Sequence, residues 1–126
     1  MRVLLPNWFA GWSLLLFAFI SGAIVGVFFH RNEFLGGYSA WPRRMTRLGH
    51  IALAALGMLN LIFAVAPISM NATARTAGSV LLIVGGISMP VVCFLSARFL
   101  AARHLFFVPV SALLLAAIFI LTGSIL

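Results

Sequence analysis

Three histidines, His30, His50 and His104, are the residues of this 126-residue chain best suited to chemistry. Imidazole ligates haem iron, zinc or copper through one ring nitrogen while the other takes a supporting hydrogen bond. Two such rings on facing helices at one depth could hold a b-type haem axially. Each histidine also stands near an arginine at the edge of an apolar stretch, as in Phe29-His30-Arg31, Arg47-Leu48-Gly49-His50 and Arg103-His104. The competing reading is therefore an interfacial side chain whose polar end reaches water. No HExxH or CxxC spacing accompanies them. Cys93, the sole cysteine, has Met89 one turn away, but copper(I) needs a third soft ligand that the chain does not supply nearby.

Other reaction types lack parts. Glu33 is the only carboxylate, so paired-carboxylate hydrolysis, an aspartate-containing triad and carboxylate-bound magnesium are all incomplete. Proton-coupled transport through a membrane-embedded acid lacks its acid. No catalytic constellation is left, and a non-enzymatic role is expected. Asn60 stands in the middle of an apolar run, where its amide must find partners on another helix or on a ligand.

The elements that position these residues follow from composition. Only 7% of residues are charged and 64% are hydrophobic, against about 25% charged in a soluble domain. The chain is expected to be an integral membrane protein. Uncharged runs separate the charges, and each is near the roughly 20 residues that cross a bilayer core. Helices are predicted at about 8–30, 49–67, 76–97 and 104–125, within one domain covering 1–126. The runs show no alternation of polarity, which excludes a barrel and leaves an all-α fold. Four helices in series predict two antiparallel hairpins. Pro90 falls inside the third and predicts a kink.

The charges also orient the chain. Of eight arginines, Arg31, Arg43, Arg44 and Arg47 lie between the first two helices, and Arg98 and Arg103 between the last two. Only Arg2 and Arg75 fall on the other side. The positive-inside rule then places both termini on the extracytoplasmic side. The absence of lysine suits a GC-rich genome and a bacterial inner membrane. Arg43, Arg44, Arg47, Arg98 and Arg103 are candidates for binding anionic lipid or an acidic partner face; no basic patch with interleaved aromatics points to nucleic acid.

Small residues line the helix faces. Gly22 and Gly26 form a small-xxx-small pair, and Gly85 lies on a similar stripe of the third helix, so these residues, with Asn60, are candidates for helix packing. Together these features predict a small non-catalytic subunit of a larger membrane complex, respiratory or photosynthetic, with other membrane subunits and anionic lipids as partners. The alternative is an electron-transfer subunit holding haem b or a quinone through its histidines. A small oligomeric channel or carrier ranks third.

Overall fold

A computed structural model describes residues 4–125. Four α-helices carry the chain: α1 (Leu5–Phe29), α2 (Trp41–Val65), α3 (Ala72–Arg98) and α4 (Phe107–Ile125). A 3-10 segment, Leu100–Phe106, leads into α4, and a 3-10 turn, Phe34–Gly36, lies between α1 and α2. All four helices are long and apolar enough to cross a membrane. The 25, 25 and 27 residues of α1, α2 and α3 reach about 37–40 Å, beyond the roughly 30 Å hydrocarbon core.

The excess length explains where sequence and structure part. α2 begins at Trp41, not near residue 49, so the arginine cluster forms its first two turns and not a loop. Pro42 disfavours helix at the preceding residue, yet it sits in the first turn, where its missing N–H costs no bond. The Trp41 indole N–H donates to the Ser96 carbonyl of α3 at 2.9 Å and holds that turn in place. The connection that remains is short and sharply bent, with Leu35, Gly36 and Gly37 all at positive φ. α3 starts at Ala72, where the Asn71 side chain accepts from the Ala74 N–H at 2.8 Å. It continues through Pro90 to Arg98.

Helix order in space follows helix order in sequence. α1 packs on α2, α2 on α3 and α3 on α4, while α1 only grazes α3. The result is a row with α2 and α3 in the middle. In the apolar stretches, 39% of residues are buried in each of α2 and α3, but 11% in α1 and 17% in α4. Since α2 lies along α3 as closely as along α1, no gap divides a first pair of helices from a second.

Glycines set the close approaches. A Cβ on Gly11 would stand 2.9 Å from the Gly57 carbonyl oxygen, and one on Gly57 3.0 Å from that of Gly11, so α1 and α2 meet backbone to backbone. A Cβ on Gly123 of α4 would overlap that of Ala74 on α3. Two small apolar clusters fill the space between helices, one around Leu14, Ala18 and Leu53 and one around Phe63, Leu82 and Ala116.

Arg43 joins the end of α1 to the start of α2. It is 5% exposed. Its guanidinium donates to the carbonyls of Phe29 at 2.7 Å, Arg31 at 3.2 Å and Asn32 at 3.3 Å, and lies 4.5 Å from the centre of the Phe29 ring. The bond to Phe29 satisfies a carbonyl that the helix end leaves free, while the Arg31 carbonyl also accepts from the Phe34 N–H. Lysine carries the charge but not the planar fork. Arg43→Lys should therefore cost about 1–2 kcal/mol in unfolding experiments in detergent, and Arg43→Ala more. Equal stability of Arg43→Lys and wild type would show that the fork does not matter.

Candidate functional site

The extra turns of α2 place His50 within the helix and not at its start. It stands about 13 Å along the axis from Trp41, in the third turn and not at the first. Its Nδ1 lies 3.1 Å from Ser21 Oγ of α1, and its ring covers Gly22, where a Cβ would come within 2.8 Å of Cε1. Gly22 is thus the space that admits the imidazole. Ser21 Oγ also lies 3.1 Å from the Ala18 carbonyl. One hydroxyl proton cannot serve both neighbours. When Ser21 donates to Ala18, His50 donates through Nδ1–H and its Nε2 keeps a free lone pair.

The other two histidines are elsewhere. His30 is exposed immediately after α1. Ser21, the partner of His50, precedes it by about 13 Å along that helix. His30 and His50 are therefore offset along the helix axes and do not face one another. His104 is exposed on the 3-10 segment before α4. Among the described residues, no three histidine, cysteine or acidic side chains cluster as a metal site would need.

The arginines divide by role. Arg43 is committed to the end of α1, as described. Arg47, half-buried, lies 4.1 Å from the centre of the Tyr38 ring and donates to the Tyr38 carbonyl at 3.3 Å. Arg44, Arg98 and Arg103 are exposed. Two buried polar atoms at this end have no hydrogen-bond partner among the described residues, Arg43 Nε and Ser96 Oγ.

Toward the opposite end lies a polar cluster that the sequence reading recognised only in part. Asn60 is fully buried, and so is Asn7 in the first turns of α1. Asn7 Nδ2 donates to Asn60 Oδ1 at 2.8 Å, and the Ser79 hydroxyl of α3 donates to Asn7 Oδ1. Asn60 Nδ2 donates to Leu56 O at 2.9 Å and reaches Leu82 O at 3.4 Å. Three helices are tied through one network whose amide protons are all used. Gly86 leaves room for it, since a Cβ there would stand 3.0 Å from Asn60 Nδ2. In the sequence Asn7 stands at the start of an uncharged apolar run, and its polar amide there is the only signal it offers. Ser79 carried none, being a small residue on an apolar face.

The remaining glycine candidates differ. Gly85 packs against Leu113 of α4, where a Cβ would lie 2.5 Å from the side chain, while Gly26 has nothing within 4 Å. Between α1 and α3, where the two helices barely touch, runs an apolar groove of about 540 Å³ with Leu53 of α2 in its wall. No known protein family matches this chain, and neither the curated proteins nor the solved structures include a match.

Proposed function

We propose that this chain is a non-catalytic subunit of a larger membrane assembly. In this reading its helices cross a bacterial inner membrane as two antiparallel hairpins, with both termini on the extracytoplasmic side. The observation that carries the proposal is the pair of outer helices. α1 and α4 each pack mainly against one neighbour and leave broad apolar faces, on one of which Gly26 meets open space. A glycine on such a face permits a partner helix to approach closely. The buried polar side chains Asn7, Asn60, Ser79 and Arg43 are meanwhile used within the chain. The exposed Arg44, Arg98 and Arg103 would face anionic headgroups or an acidic partner surface.

Purification in a mild detergent should recover fixed partner chains in constant ratio. A stable, monodisperse homo-oligomer on its own would count against the subunit reading. The orientation is tested separately: Ser39→Cys, in the connection between α1 and α2, should resist an impermeant thiol reagent in intact cells. The native Cys93 is buried and adds no background. Labelling at position 39 would reverse the assignment.

One feature favours a second reading, an electron-transfer subunit holding haem b or a quinone. Ser21 fixes His50 through Nδ1, the arrangement in which the other imidazole nitrogen is oriented toward a ligand. A reduced-minus-oxidised absorption band lost in His50→Ala would establish it, and a colourless, fully assembled protein would sink the haem form.

A further inference from the structure

The groove between α1 and α3 is apolar along its length and runs toward two cations. Along α1 its wall runs from Ala10 through Leu14 and Phe17 to Ile24, about 21 Å of helix axis. Along α3 it is built by Ile87, Val91 and Phe94. Ser21 also belongs to the wall, but its hydroxyl is engaged with Ala18 and His50. An elongated lining with no free polar group is what an extended hydrocarbon chain requires.

Both walls continue into a cation at the same end. On α3, Ile87, Val91, Phe94 and Arg98 follow the helical repeat, so Arg98 lies on the groove face one turn beyond Phe94. On α1 the repeat passes from Ile24 to Phe28 and then to Arg31, just past the helix end, whose N–H closes a three-residue turn on the Phe28 carbonyl. Both arginines are exposed, each held near an aromatic ring, Arg31 at 5.8 Å from Phe28 and Arg98 at 5.2 Å from Phe99. The chain's only acid, Glu33, leaves a net charge of +7 with little to neutralise it.

An apolar slot whose two walls lead, by helical repeat, to arginines at one end is complementary to an acyl chain ending in an anionic head. We propose that the groove binds one anionic phospholipid, with an acyl chain along α1 and α3 and its phosphate between Arg31 and Arg98. The site belongs to the chain itself and does not depend on its having partner subunits.

The test is native mass spectrometry of the protein after delipidation and reconstitution with equal amounts of phosphatidylglycerol and phosphatidylcholine. Wild type should retain one phosphatidylglycerol per chain, at least tenfold above phosphatidylcholine. Arg31→Gln/Arg98→Gln should abolish that preference, while Arg75→Gln, at the opposite ends of the helices, should preserve it. Val91→Trp fills the groove from an exposed position and should remove the retained lipid of either kind; Ile87→Trp does the same should Val91→Trp fail to fold. Equal retention of both lipids by wild type would overturn the proposal. So would loss of preference in Arg75→Gln, retention in the groove-filled variants, or a protein chain in place of the lipid.

Discussion

Asn60→Leu is expected to lower the unfolding free energy of the detergent-solubilised protein by about 1–2 kcal/mol. Leucine keeps the branched skeleton of asparagine but is bulkier, so the lost bonds and the added volume both contribute. Asn7 Nδ2 loses its acceptor at 2.8 Å in a site that is fully buried. Interhelical bonds in membrane proteins average only about 0.6 kcal/mol, because the unfolded chain in lipid also finds partners. Here the larger figure applies, since one N–H of the Asn7 amide is left unpaired where no water reaches it, its other donating to the Ser79 carbonyl at 3.4 Å. The decisive measurement is the double variant Asn7→Leu/Asn60→Leu. With both amides gone nothing is orphaned on either, and the double should cost clearly less than the sum of the single substitutions. Strict additivity would mean that the network contributes nothing as a unit.

Gly57→Leu should be more damaging, at about 3 kcal/mol. A Cβ at position 57 already stands 3.0 Å from the Gly11 carbonyl oxygen and 3.2 Å from side-chain atoms of Leu14 and Leu15. Backbone cannot rotate aside, so α1 must move off α2, and α1 has little else to hold it. The Asn7–Asn60 bond lies about one turn from this crossing and would be pulled apart with it. Gly57→Ala should show a smaller loss in the same direction. Gly26→Ala is the comparison: with nothing within 4 Å, it should be neutral or gain up to about 1 kcal/mol from helix propensity. Thermal unfolding of the variants side by side decides the matter. If Gly26→Leu and Gly57→Leu destabilise equally, the crossing is not where the helices are held.

The spans were legible because lipid tolerates few ways of burying a backbone. Their starts were less so. A membrane span and a helix are different objects, and α2 continues through Arg47, Arg44 and Arg43 because charged side chains outside the hydrocarbon do not stop a helix. Equating the two put His50 at the start of α2, when it lies in the third turn beside Ser21. Facing surfaces were harder still. α1 is apolar on nearly every side, so polarity does not mark which face meets α2. Gly22 and Gly26 looked like one pair, yet Gly22 accommodates an imidazole and Gly26 has open space, while the contact that holds α1 falls at Gly11. Asn60 could be found by its oddity within an apolar run; that its partner would be Asn7 depended on the register between two helices, which no single segment encodes.

The serial row has a consequence for biogenesis. Every major interface joins a helix to the one made just before it, so the order of synthesis is also the order of assembly. Each helix leaving the ribosome would find its partner already in the bilayer, with no earlier contact to break. α1 and α2 can meet at once through Gly11, Gly57 and Arg43, but Asn7 waits for Ser79 until α3 is inserted. A nascent chain arrested after α2 should accordingly hold its first two helices together loosely, and become resistant to extraction only when α3 arrives.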